Sequence, residues 1–595
     1  MNLHFFRGSK FLVALLFSVF LSNHGLAQGT WKALTHQSPH YNNGVALLMT
    51  DGSVIVKTNA GGGDAYGWGW DRLRPDSNGS YINGTWDTIA SMGWTRQFFA
   101  SQVLKDGRVY VAGGELGTGY NNGEIYDPIA NVWTPLPSNG VSTYINDCMS
   151  ELLPDGTVMQ NFDQGSVFFS FNGNLIYNPV TNTFDTTDRC IESQEEGEWV
   201  KLPDGSFLAV DANSQNSERY IPSLGQWIPD DTLPVMLWSP DIELGPGVLL
   251  PDGRAMFFGG NGATAFYTPS GSVSPGTWAA GPALPYSTIA PYHVWATKDA
   301  NAAMMPNGKI LFVAEPYTGA GFSTPAAFFE FNYLTDSFTR ILTPNGDSTL
   351  EMLCEEVHML QLPDGSVLTG TANGSTQYYE YVPDGTPLVE GKPVVDSVFK
   401  ISCDTFVVTG QLFNGISEGV TFGDDWQMAT NRPIVRFTHD STVYYAKSIN
   451  WNRTGVMTGT LPDTVTIILP STMPEGIYNM QVTANGNPSA PFAFATCGAS
   501  LASLNTVTVN PQTERVYIYP NPASENATVT FDCAKAGIYD LKILDIYGRI
   551  VNEQTLHARI GENKYAINLN GMAKGIYTIL LQGGAQEYHG KLVVE

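Results

Sequence analysis

The sequence predicts an all-β chain: a seven-bladed β-propeller, then an immunoglobulin-like β-sandwich, then a small C-terminal β-sandwich. Three observations carry this. An apolar run, Pro-Asp-Gly or a variant, and a second apolar run recur seven times at intervals of 48 to 57 residues. The period stops after Pro383, where short alternating strands continue to about Cys497. The composition, with 61 Gly, 36 Pro, 12% aromatic and only 14% charged residues, suits a large secreted β-protein rather than a disordered chain.

The N-terminus carries an address. Arg7 and Lys10 precede an apolar run from Phe11 to Leu21, and the segment ends in Gly25-Leu26-Ala27. This is the pattern of a secretory signal peptide over residues 1–27, since a membrane span needs roughly 20 apolar residues. No later stretch is long enough to span a bilayer. A net charge of −26 argues against nucleic acid and anionic membrane surfaces as partners. Export permits disulfides among the six cysteines. Cys403 and Cys497 bracket one unit and Cys148 and Cys190 lie one repeat apart, so these are the disulfide candidates; Cys354 and Cys533 have no obvious partners. No CxxC pair or cysteine–histidine cluster points to zinc.

The turn residues of the seven repeats are Asp51, Asp106, Asp155, Asp204, Asp252, Asn307 and Asp364. Asp-Gly and Asn-Gly supply the positive φ of a two-residue hairpin, and the flanking runs, such as Val248–Leu250 and Ala255–Phe258, read as strands. After several turns come Gly-Gly, an aromatic-x-Pro step and a Trp, as in Gly113-Gly114, Tyr126-Asp127-Pro128 and Trp133. These suit the outer strands of a four-stranded blade. A blade cannot bury both faces alone, so consecutive blades must stack around an axis. On this motif the chain resembles the kelch propellers of the galactose oxidase-like group, whose period is about 50 residues. The propeller is expected over residues 28–385.

The sandwich is expected over residues 386–498, with strands at Pro433–Phe437, Thr464–Leu469 and Tyr478–Val482. It resembles the early-set domain that follows the propeller in that group, notably at Gly423-Asp424-Asp425-Trp426-Gln427-Met428-Ala429-Thr430-Asn431. Residues 499–513 are Thr-, Asn- and Ser-rich and read as a linker. In residues 514–595, Tyr519-Pro520-Asn521-Pro522-Ala523, Ile546-Tyr547-Gly548-Arg549, Asn570-Gly571-Met572, Gly575-Ile576-Tyr577 and the final Lys591-Leu592-Val593-Val594-Glu595 resemble the sorting domain of type IX secretion cargo. The resemblance implies the type IX machinery as a partner, and an outer-membrane surface or secreted location.

Strand geometry suggests where chemistry would sit. A residue about eight positions before each turn lies roughly 25 Å away, at the opposite mouth of the channel. That ring is Asn43, Phe98, Asp147, Glu196, Leu244, Asp299 and Glu356, with Glu195, Asp241, Glu243 and Glu355 close by. The resemblance would place copper-radical ligands in this ring: a cysteine-crosslinked tyrosine, a second tyrosine and two histidines. Here Phe98 stands for the crosslinked Tyr, Asn43 for the Cys, Glu355-Glu356 for the Tyr-His pair, and Asp424 lies near the remaining His. Copper is therefore not expected. His358, a two-residue slip from Glu356 that preserves strand facing, is the residue that would restore a ligand.

Close carboxylates raise one another's pKa and recruit a cation or stay partly protonated. Asp147, Glu196, Asp299 and Glu356 form the candidate metal set, for a calcium-like cation. Asp147, Glu196, Glu243, Asp299, Glu356 and His358 are the candidate ligand-binding residues. Three readings stay open: acids paired with backbone amides and arginines such as Arg96, a calcium-like site, or paired carboxylates acting on a sugar. Trp94, Trp199, Trp238 and Trp295 near the mouth would stack on sugar faces or pack between blades. Gly61-Gly62-Gly63 is a loop, without the pattern of a phosphate cradle. The expected function is binding of a glycan or another extracellular ligand at an acidic mouth. The alternative is an enzyme, either a galactose oxidase-like oxidoreductase or a carboxylate-based glycan-active one.

Overall fold

The computed structural model describes residues 28–594 except 141–144, 146–148, 163–172, 188, 192–193, 195, 290, 293, 423–427, 500–515, 534–535, 545–549, 560 and 584–585. The signal segment and all but the first residue of the linker lie outside the described residues. Every regular element described is a β-strand. No helix is long and apolar enough to cross a membrane among the described residues.

Seven four-stranded antiparallel units follow one another along the chain. The first is Asn42–Leu48, Val54–Thr58, Trp70–Arg74 and Thr85–Ile89. The seventh is built from both ends of the propeller: Val357–Gln361, Val367–Thr371 and Tyr379–Val382 are completed by Thr30–Ala33, with Trp31 across from Tyr381. Closure therefore rests on a four-residue strand that the repeat pattern does not reveal.

The hairpin turns differ in type from the sequence expectation. At the first, Met49 N–H donates to Ser53 O and Gly52 N–H to Met49 O, which is a three-residue loop with a bulge at glycine rather than a two-residue turn. The same pair of bonds recurs in all seven blades, for example Leu362 to Ser366 and Gly365 to Leu362. Only the glycine takes positive φ, between 76° at Gly52 and 91° at Gly365. The aspartate has another role: its Oδ1 accepts the N–H two residues on, as Asp51 does from Ser53 and Asp364 from Ser366.

The second strands are buried on both faces because each blade is stacked between two others, as in Val109–Ala112 and Phe207–Val210. In the outermost strands one aromatic is covered and its neighbours are exposed, as in Val132–Pro135 and Thr277–Ala280. Those aromatics pin adjacent blades. Trp133 Nε1–H donates to Ala90 O at 2.8 Å, Trp278 Nε1–H to Ser217 Oγ at 3.1 Å and Trp31 Nε1–H to Leu342 O at 2.6 Å.

The following unit is a β-sandwich ordered Val394–Lys400, Thr405–Gln411, Asp463–Ile468, Thr442–Ile449, Ile434–His439, Ile477–Ala484 and Asn487–Pro488, with Phe492–Ala495 also on Ile477–Ala484. Alternation puts Phe406, Val408, Phe437, Val465, Met480 and Phe494 into one core. Cys403 and Cys497 are joined by a disulfide, with Cα atoms 5.2 Å apart. Cys190 is a buried free thiol whose Sγ faces Asn174 Oδ1 among Met149, Trp199 and Trp227; Cys148, its candidate partner, lies outside the described residues.

One segment of the sandwich enters the propeller. Val420–Phe422 pairs with Asn301–Met304, the inner strand of blade 6, and Met428 packs in the propeller core, where its sulfur accepts Ala46 N–H. Beside it, about 30 Å³ of space remains between Gln102, Ser150, Trp199, Gly247, Glu418 and Ala429, so the channel is plugged from the turn face. Charge locks the plug. Lys201 Nζ lies 2.6 Å from Glu151 Oε1 and 3.5 Å from Glu418 Oε1, and donates to Thr454 O. Burial lowers the Lys201 ammonium, but Glu151 and Glu418 outweigh it and hold it above its ordinary range. The C-terminal unit comprises two sheets, Tyr517–Tyr519 with Asn526–Cys533 and Gly561–Asn568, and Ile550–Ala558, Gly537–Leu544, Gly575–Gly583 and Gln586–Val594, around Val529, Leu541, Ile579 and Leu592.

Candidate functional site

Loops ahead of the inner strands carry acids into the mouth opposite the plug. Glu196, Glu243 and Asp299 each offer a carboxylate oxygen, and the three oxygens lie within 4.8 Å of one another. Glu196 and Asp299 each stand two residues before an inner strand, at Glu198 and Asn301. Both take left-handed φ, 56° and 43°, as does Phe98 at 53° in the corresponding place before Ala100. Non-glycine residues rarely adopt this conformation, so the backbone is strained where it aims these side chains at the axis. Asp299 N–H donates to Leu244 O, tying the ring positions of neighbouring blades.

Glu243 arrives on a tight turn. Ser239 N–H donates to Glu243 O and Ile242 N–H to Ser239 O, with Ile242 at φ 66°. The turn is braced by Lys298, which is fully buried, 3.2 Å from Asp241 Oδ1, and donates to Gly319 O and Gly321 O. Cys354 Sγ in turn donates to Lys298 O and faces Glu315 Oε2. Gly61 and Gly62 have φ of 77° and 82° in a loop held by Asp64, which accepts from Thr95 Oγ1–H and from the Tyr66 and Gly67 amides.

Electrostatics follow from this crowding. Burial raises the Glu243 carboxyl, while hydrogen bonding with Glu196 and Asp299 pulls it back. Burial, then Glu356, Glu243 and Glu115, pushes Glu355 up to about 7. Burial pushes Glu315 up to about 8 against the Ser323 amide and the Cys354 thiol. Asp241 goes the other way: burial is overcome by Ser239, the Gly321 amide and Lys298, which hold it below its usual range. A carboxyl raised in the folded state contributes stability below about pH 4.5 that is lost as pH climbs through its folded value. The stability of the wild type relative to Glu315→Gln should therefore fall between pH 5 and 8, by on the order of a few kcal/mol. Urea unfolding at both pH values measures it; a difference independent of pH would contradict the burial argument.

Of the residues singled out by sequence, Glu196, Glu243 and Asp299 meet. Asp147 lies outside the described residues, as do Glu195, His293 and Asp424. Glu356 does not join the trio: its Oε2 accepts Leu353 N–H at 3.0 Å, folding the carboxylate onto its own turn, and Glu243 takes its place in the metal set. His358 sits within Val357–Gln361, across from Gly370 and 2% exposed, where burial lowers its imidazole to about 3. It is thus one strand step inside the wall and outside the cluster. Trp199 and Trp295 are buried, against Trp227 and Phe329, whereas Trp94 and Trp238 are half-buried. Arg96 is a structural hub, donating to Gly113 O, Gly119 O and Asn122 O beside Glu124. The sequence shows Cys354 only as a cysteine without an obvious partner, and its one signal for Lys298 is that this residue immediately precedes a ring position.

All three donors of this group are carboxylates; among the described residues no imidazole or thiolate joins them.

Comparison with known proteins gives two family matches. Residues 517–595 match the secretion system C-terminal sorting domain, and residues 103–140 match the Kelch motif. No curated protein matches the chain. Among solved structures, a fungal alcohol oxidase of the AA5 family in complex with copper is similar over 79% of this chain and 99% of its own, at 16% identity and a TM-score of 0.46. A likeness at that level carries no conclusion about chemistry.

Proposed function

We propose that this kelch-type propeller, exported under its C-terminal sorting domain, binds a calcium-like cation at its acidic mouth and through it an extracellular glycan. The observation that supports the reading is the meeting of Glu196, Glu243 and Asp299 within 4.8 Å. Three carboxylates in one place repel unless they share protons or take a cation, and a cation with open positions coordinates vicinal sugar hydroxyls. The half-buried Trp94 and Trp238 offer apolar faces near the same mouth.

Calcium titration of the full chain by calorimetry, followed by a glycan array with and without chelator, tests this. Calcium should bind in the range of roughly 0.1–1 mM expected for extracellular modules. Glu196→Gln with Asp299→Asn should weaken it at least tenfold and abolish array signals. Undiminished glycan binding by that double variant would sink the proposal.

A second reading rests on Glu355, held near 7 beside Glu243. A carboxylic acid protonated at neutral pH can serve as a general acid on a glycosidic oxygen. Release of reducing ends from an array-positive glycan, lost in Glu355→Gln, would favour this over binding alone.

A further inference from the structure

A second acidic site lies on the opposite face of the propeller, in blade 7. In each blade the third strand places one residue across from the position four after the turn residue. In blade 4 this is Arg219, across from Leu208, and its Nη1 lies 3.3 Å from Asp204 Oδ2 of the turn. In blade 1 it is Arg72, across from Ile55; its Nη2 lies 2.7 Å from Asp87 Oδ2 in the outermost strand, which with a smaller contribution from Asp51 holds the guanidinium up against burial. In blade 6 it is Glu330, and there the turn residue is the neutral Asn307, while Lys309 Nζ lies 2.9 Å from Glu330 Oε2. In blades 2, 3 and 5 the position is apolar, Ile125, Ile176 and Phe266; in blades 1, 4 and 6, where it is charged, it has an oppositely charged partner.

Blade 7 breaks the pattern. Glu380 stands across from Leu368, and the turn residue is Asp364. Ser366 Oγ–H donates to Asp364 Oδ1 at 2.7 Å, so the hydroxyl is no cation substitute. Glu380 is 1% exposed, and its Oε1 has no hydrogen-bond partner among the described residues. Burial, then Asp364, pushes Glu380 up to about 8, against Ser366 and Lys32. Lys32 lies across the closing strand from Glu380 and is exposed, and Arg436 of the sandwich donates to Gln481 Oε1 at 2.8 Å. Neither makes an ion pair with Glu380 or Asp364. Both acids line a groove of about 330 Å³ walled by Asn307, Gly365, Pro383 and Asp384. Asp384 is already taken by Lys309 at 2.7 Å.

We propose that Asp364 and Glu380 hold a divalent cation of the calcium class, which clamps the hairpin of the closing blade to its third strand. Two carboxylate ligands, with the remaining positions filled by water in an open groove, correspond to the weak range of extracellular calcium modules. The cation does here what Arg219 does in blade 4. An orphaned buried carboxylate oxygen otherwise stays without a partner, which is costly. This site is separate from the mouth and stands or falls independently of it.

Calorimetric titration with calcium chloride on the full-length Glu243→Gln protein, in which the mouth is disabled, isolates the site. One calcium should bind between about 0.1 and 1 mM. Adding Glu380→Gln should weaken it at least tenfold. Glu380→Arg supplies the guanidinium that blade 4 carries, so its unfolding temperature should no longer respond to calcium while the Glu243→Gln parent's rises. An isotherm unchanged by Glu380→Gln, or a Glu380→Arg protein as calcium-responsive as its parent, overturns the proposal and leaves the two acids sharing a proton. Failure of the mouth reading shows separately, as a wild-type isotherm identical to that of Glu243→Gln.

Discussion

Lys201→Met should cost about 3–5 kcal/mol of propeller stability, because it leaves Glu151 and Glu418 facing each other without their shared cation. Glu151 is 6% exposed, and burial followed by Glu418 already drives its carboxyl well upward against Lys201. Without the ammonium Glu151 must take up a proton to stay in place. The loss should therefore be smaller at pH 5 than at pH 8, since protons are cheaper to bind at the lower pH. Urea unfolding at the two pH values measures it. A double variant, Lys201→Met with Glu151→Leu, should recover most of the loss, because replacing a buried pair by apolar groups is often close to neutral whereas removing one partner is not. Glu418 keeps a bond in that variant, since its Oε2 accepts Lys201 N–H at 3.2 Å. An equal cost for the single and double variants would mean that packing around the lysine stem, rather than charge, holds the plug.

Replacing Cys403 and Cys497 by Ser should destabilise the sandwich by about 4–5 kcal/mol in the chain-entropy account, since the bridge spans a sequence separation of 94. The loop it closes contains Val420–Phe422, so the effect should reach the propeller through the strand added to blade 6. Calorimetry with and without reductant is the measurement. The wild type under reductant and the double variant should show the same lowered transition, and coincident transitions for oxidised and reduced wild type would contradict the assignment.

The blades were legible because each turn combines two local demands, a glycine at positive φ and an aspartate accepting the amide two residues on. Which turn type those residues make was not, because Asp-Gly serves two- and three-residue loops alike and only the hydrogen-bond register separates them. Counting back eight residues located Glu196 and Asp299, as strand rise is nearly constant. It does not show that Glu356 folds onto its own turn while Glu243, beside the ring, joins the trio, since the path of the loop before each strand, and not strand length, decides where a carboxylate ends up. The plug and the closing strand are pairings between distant parts of the chain: Asn301 with Phe422 and Trp31 with Tyr381 leave no periodic trace. The unmatched acid of blade 7 becomes visible only when third-strand positions are compared at the same register.

The closing strand also sets an order of events. Thr30 pairs with Val382, so the ring joins the first described residues to some of the last of the repeat region. Contacts so far apart in sequence form late, after loop closure over the intervening chain. With six blades formed the chain is an open arc with exposed edges, and the arc cannot become a ring until Tyr379–Val382 is in place. Any process that holds back Thr30–Ala33 delays the ring itself and not merely one edge of it.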